Sequence, residues 1–168
     1  MDLLTRRSFL KNSFLSSVIF VAYSGELRAA VTPLQTIAVL HSDLFPKSLQ
    51  TPPMQTINAA FYLQTIILNH TRIDEDTKTY IRDGIKWLNE ESVSKYTKVY
   101  AKLSATQREK VLEDISEADW GESWLDSIMT YFLEAMLGDP VYSVNFDELG
   151  WKWLGHEGGF PRPKRAYL

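Results

Sequence analysis

An all-α protein is what the sequence predicts: a small bundle of about five helices, followed by an extended, irregular C-terminal tail rich in glycine, proline and tryptophan. Three observations lead there. Apolar residues recur at three- and four-residue spacing in successive stretches between residues 33 and 137. No stretch alternates strictly over four or more residues, so no strand is expected. From Gly138 onward, glycines and prolines come too often for a long regular element.

The N-terminus stands apart from the bundle. Thr5-Arg6-Arg7-Ser8-Phe9-Leu10-Lys11 is followed by an apolar run from Phe14 to Val21, broken only by Ser16 and Ser17. A positive start, a short apolar run and a polar exit make an export signal. The pair Arg6 and Arg7, with Phe9, Leu10 and Lys11 behind it, fills the pattern of the bacterial twin-arginine route. That route carries proteins already folded in the cytoplasm. An amphipathic first helix would space its apolar residues instead of running them together. The run is too short for a membrane span of about 20 apolar residues. Small residues at Ala22 and Ser24 suit cleavage after Ser24, and retention as an N-terminal anchor fits the same residues. Residues 1–24 are read as the signal, 25–137 as the helical domain and 138–168 as a docking tail.

The first helix is expected from Pro33 to Leu44, with Leu34, Ile37, Ala38, Leu40 and Leu44 at helical spacing, stopping before Pro46. Pro52-Pro53 restarts the chain, since proline suits a first helical turn. From Met54 to Leu68 only Gln55, Asn58 and Gln64 interrupt the apolar character, which predicts a central helix enclosed on several sides. Asp74-Glu75-Asp76 opens the next helix with acids at its positive end. Tyr80, Ile81, Ile85 and Leu88 line its inner face, and Trp87 lies near the edge. Ser104 begins another, with Thr106, Gln107 and Glu109 in its first turn and Val111, Leu112 and Ile115 inward. Glu122 to Leu137 pairs Trp124-Leu125, Ile128-Met129, Phe132-Leu133 and Met136-Leu137, a wide apolar stripe. Gly138 and Pro140 end it.

Composition narrows the function. Cleavage after Ser24 would leave about 144 residues of the 168, enough for one domain with its own core. It would take lysine plus arginine from 18 to 15 and acids from 21 to 20, leaving a net charge near −5. No basic stripe is present, which argues against nucleic acid. The chain has no cysteine. Thiolate ligation of iron–sulfur or structural zinc by this chain is therefore excluded, as is covalent haem attachment.

The tail carries Trp151, Trp153, Phe160 and Tyr167 among glycines and prolines. Rings on an irregular chain must be laid on something, either the chain's own helices or a partner. The signal, the helical middle, and the motifs Asp139-Pro140-x-Tyr142 and Gly150-Trp151-Lys152-Trp153-Leu154-Gly155 with Gly158-Gly159 behind them resemble the gluconate 2-dehydrogenase subunit 3 family. Its members are small, twin-arginine-bearing subunits of membrane-bound, FAD-dependent sugar and alcohol dehydrogenases. The resemblance implies a non-catalytic subunit in the periplasm, held at the inner membrane through its complex. It would bind a large flavoprotein of the glucose–methanol–choline type, help it mature, and take it through the twin-arginine translocase. FAD would sit on that large subunit, and a multihaem cytochrome c subunit often completes the complex. The residues implied in partner binding are Asp139, Pro140, Tyr142, Asn145, Gly150, Trp151, Trp153, Gly155 and Phe160. One departure stands out. The family usually has two glycines after the tyrosine and then asparagine. Here Ser143 and Val144 fill those places and Asn145 is kept. Val144, branched at Cβ, resists positive φ, so the turn is expected to differ there.

Chemistry by this chain alone has little support in the sequence. His41, His70 and His156 stand in no metal-binding frame. Asp74-Glu75-Asp76 and Glu90-Glu91 read as solvated helix ends, and Asp114, Glu117 and Asp119 as an outward face. Asp139 is the acid best placed for burial, with a hydrogen-bonding role in its turn. No Gly-x-Gly-x-x-Gly, Walker or Gly-x-Ser-x-Gly motif is present. Two other readings stay open: a free-standing exported hydrolase using Asp139 and His156, and a periplasmic binding module whose tail closes over a small ligand.

Overall fold

Local capping chemistry sets where the helices start. The computed structural model describes residues 31–45, 52 and 57–166. The signal residues Arg6, Arg7, Phe9, Leu10 and Lys11, the restart at Pro53 and the tail residue Tyr167 lie outside them. The fold is all-α, and no strand occurs among the described residues.

Helix α1 runs Pro33–Leu44. Thr32 caps it: its hydroxyl accepts the Gln35 N–H at 3.2 Å, and the Gln35 side chain accepts the Thr32 N–H at 2.9 Å. Thr36, Ile37, Leu40 and His41 form its buried face, while Leu34 stays 42 % exposed.

The greasy stretch that follows is not the regular helix its composition predicts. Asn58 takes the left-handed conformation (φ 54°) and breaks the path. A single α-turn, α2 (Ala59–Phe61), then widens into a π-helix over Tyr62–Ile67. Leu68 donates to Leu63 five residues back at 2.9 Å. The wider turn brings Leu63, Ile67 and Leu68 to the same side, and all three are buried.

Helix α3 (Glu75–Tyr96) starts where the acids predict. Asp74 accepts from the Thr77 N–H at 2.7 Å and from its hydroxyl at 2.8 Å. Those two bonds hold the Asp74 carboxyl below the usual range. Ile81, Ile85 and Leu88 are buried, and Trp87 meets Trp120 edge-on near the surface. Helix α4 (Ala105–Ser116) opens on a second capping box, Ser104 with Gln107. Val111 and Ile115 are buried. Leu112 is half-buried. Asp114 departs from the outward face expected of it, because it is half-buried and paired with Lys95 of α3.

Helix α5 spans Asp119–Leu137, three residues earlier at its start than the apolar pattern indicates. Its stripe is also narrower than the paired pattern implies. Trp124, Ile128, Phe132 and Met136 are fully buried, four residues apart, but Leu133 and Leu137 are 39 % and 37 % exposed. Helix α5 packs on α3, α4 and the π segment, so these four side chains occupy the centre of the core. Burial of each is worth about 1.5–3 kcal/mol. Gly84 of α3 makes room for this helix: a Cβ there would lie 2.0 Å from the Trp124 indole nitrogen.

The tail is less extended than the sequence predicts. Two 3₁₀ turns, Pro140–Tyr142 and Phe146–Glu148, lead into a short helix α6 (Leu149–Leu154). Gly155 closes α6 at φ 65°, where a side chain would be strained. No described helix is long and apolar enough to cross a membrane.

Candidate partner-docking arm

Among the described residues after Gly138, Asn145 and Trp151 make the contacts that hold the segment on the bundle. Asn145 is fully buried and left-handed (φ 45°). Its amide donates to the Gly138 carbonyl at 3.0 Å, and its side-chain oxygen accepts the Gly150 N–H at 2.7 Å. Gly150 sits so close to α5 that a Cβ would lie 1.8 Å from the Met136 carbonyl oxygen.

The departure at residues 143 and 144 resolves simply. Ser143 alone takes the left-handed conformation (φ 60°). Val144 avoids it and fills a fully buried core position. The Ser143 carbonyl accepts the Asn58 amide at 2.9 Å, so the break in the π region and the turn of the arm hold each other.

Asp139 acts as the turn acid. One oxygen accepts the Val141 N–H at 2.9 Å and the other pairs with Arg162 at 3.0 Å. Pro140 supplies the first position of the 3₁₀ turn, and Tyr142 is half-buried against the core. Asp147 and Glu148 are also left-handed, at φ 55° and 59°. Such residues cost about 1–2 kcal/mol each. Lys152 donating to the Asp147 carbonyl at 2.6 Å and Arg162 pairing with Glu148 at 2.9 Å hold them there.

The two tail tryptophans separate. Trp151 is 8 % exposed and belongs to the chain's own packing. Its indole N–H donates to the Leu137 carbonyl at 2.6 Å. The Arg162 guanidinium covers its face at 4.4 Å, and the His156 ring meets it edge-on at 5.6 Å. Gly158 packs against it with no room for a Cβ, which would lie 2.5 Å from the indole. Trp153 points out at 40 % exposure, with Leu154 at 55 %, Phe146 at 41 % and Phe160 at 89 %. Of the residues expected to bind a partner, Asn145, Gly150 and Trp151 are thus taken up inside the arm. Asp139 is taken up by its turn and Arg162, and Gly155 ends α6. Trp153 and Phe160 face solvent.

His41 is buried with neither ring nitrogen hydrogen-bonded, and burial pushes its pKa down to about 4. It stacks on Phe45 and meets Phe132 edge-on. His70 accepts the Arg72 N–H at 3.0 Å through Nδ1. Among the described residues, no hydrogen bond joins His156 to Asp139, and no group of three or more acids and histidines is placed to hold a metal. Nor do they contain the strand–turn–helix unit that cradles an adenine dinucleotide.

Sequence reasoning missed one polar cluster entirely. Asp43 at the end of α1 takes both Arg108 Nε at 2.7 Å and Arg108 Nη2 at 3.0 Å, and it accepts the Tyr100 hydroxyl at 2.7 Å. Burial and the Asp43 carboxylate push the Tyr100 pKa far up, and the hydrogen bonds that Arg108 donates to Asp43 raise its own. The cluster ties α1, the Tyr100–Lys102 turn and α4 together.

Among known proteins, the family described as Gluconate 2-dehydrogenase subunit 3 matches residues 33–159. No curated protein and no solved structure matches the chain. The match runs from the first residue of α1 through the whole helical body to Gly159, well over half of the sequence. The chain therefore belongs to the gluconate 2-dehydrogenase subunit 3 family, the small subunit of a dehydrogenase complex.

Proposed function

We propose that this chain is the non-catalytic small subunit of a periplasmic, FAD-dependent sugar or alcohol dehydrogenase of the gluconate type. In this reading it assists the maturation of a glucose–methanol–choline-type flavoprotein and takes it through the twin-arginine translocase on its own signal. The family match over residues 33–159 is the observation that carries the reading.

Other features support it. The filled pattern at Thr5 to Lys11 supplies an export address. An all-helical body suits a binding role, and FAD is better assigned to the large subunit. With no cysteine in the chain, a c-type haem would belong to a separate cytochrome subunit. Solvent-facing Trp153 and Phe160 offer contact area for the large chain.

The test is export. Replacing Arg6 and Arg7 by lysine together should leave both this chain and its large partner in the cytoplasm. Unchanged dehydrogenase activity in the periplasm of that double variant would contradict the carrier role.

A further inference from the structure

Phe160 is 89 % exposed, the most exposed large apolar side chain among the described residues. It does not sit on a loose end. The His156 N–H donates to the Trp151 carbonyl at 2.8 Å on one side. On the other, Arg162 lies on the Trp151 ring and pairs with Asp139 and Glu148. Gly158 wedges against the indole between these two fixings. The ring is thus held out in water by a segment fixed at both ends. An ordered apolar group of this kind has already lost much of the freedom that binding would otherwise take from it.

Charge indicates what it meets. Residues 111–151 contain ten acids and no lysine or arginine, whereas residues 152–166 hold four basic residues and one acid. Residues 152–166 are thus a cationic end on an anionic body, with Arg162 already paired to Asp139 and Glu148. An acidic rim on a partner would attract this end and repel the body, which fixes orientation as well as place.

We propose that Phe160 is a preformed anchor that enters an apolar, acid-rimmed pocket of the flavoprotein large subunit. This rests on the proposed dehydrogenase complex. Phe160 and Arg162 lie outside the residues 33–159 matched by the family, so the anchor adds to whatever contact the shared segment makes. Arg162 is a positioning residue here, since it acts by holding the loop.

The experiment uses the tagged full chain co-expressed with its large subunit, comparing wild type, Phe160→Ala and Phe160→Leu. Phe160 is so exposed that truncating it should leave the melting temperature of the free chain unchanged. Binding of the large subunit should weaken at least about tenfold for Phe160→Ala, with partial recovery for Phe160→Leu. Association should also slow with added salt. Equal capture by wild type and Phe160→Ala would overturn the anchor and leave the complex standing. Failure of the wild-type chain to capture any flavoprotein would overturn the complex, and the anchor with it. If Phe160→Ala keeps full capture but loses binding to phosphatidylethanolamine–phosphatidylglycerol vesicles, the ring serves a lipid surface and the proposal is wrong.

Discussion

The Asn145 side chain bridges Gly138 and Gly150, accepting the Gly150 N–H at 2.7 Å while donating to the Gly138 carbonyl. One buried amide thereby joins the end of α5 to the start of α6 and sets the direction of the arm. Asn145→Ala would leave the buried Gly150 N–H and the partly buried Gly138 carbonyl unpaired and keep a left-handed backbone without asparagine's tolerance for it. The expected loss is about 2–4 kcal/mol, read by urea denaturation. A value within about 0.5 kcal/mol of wild type would remove Asn145 from this role.

Gly84 of α3 lets the Trp124 indole of α5 lie directly against its backbone. Gly84→Ala places a methyl where the indole already lies, so about 2–3 kcal/mol should be lost in thermal or urea unfolding. Adding Trp124→Phe, which shortens the ring, should recover part of that loss, making the pair non-additive. Additive costs would mean that the two residues do not compete for the same space.

His41 makes stability depend on acidity. Burial lowers its folded-state pKa to about 4, from 6.5 unfolded. Between those values the unfolded chain binds the extra proton, so stability is complete above pH 6.5 and declines as pH falls toward 4. The total loss is about 3 kcal/mol. Carboxylates add their own loss at the acid end, so the comparison is with His41→Leu. That variant should flatten the slope between pH 6.5 and 4. At pH 7 it should match or exceed wild type, because two unpaired buried nitrogens disappear. An unchanged slope would rule His41 out as its source.

The Asp43–Arg108 pair should be worth far more than a surface ion pair, being mostly buried and bidentate. Asp43→Ala leaves Arg108 and the Tyr100 hydroxyl without their acceptor and should cost about 3 kcal/mol. A double-mutant cycle with Arg108→Ala should return a coupling of about 1.5–3 kcal/mol. Coupling near zero would show that the pair contributes nothing net.

What the sequence revealed followed from locality. Thr32, Asp74 and Ser104 act within three residues, so a cap and its helix can be read from a short window; Thr32 shows that such a signal is easy to pass over. The π segment could not be read, because Leu63 to Leu68 has the same apolar content in either helix type and the left-handed Asn58 is held by Ser143, far along the chain. Asp43, Tyr100 and Arg108 were invisible for the same reason, since only the fold brings them together. At the arm, the aromatic and glycine motifs marked the right segment. They did not distinguish Trp151, turned inward by Gly150 and Gly158, from Trp153, left outside.

The most direct measurement is purification of this chain from its native membrane after mild solubilisation, with flavin read in the eluate. The account predicts that a large flavin-containing polypeptide elutes with the chain in one-to-one ratio. A chain that elutes alone and colourless, with the flavoprotein found elsewhere and active, would contradict it.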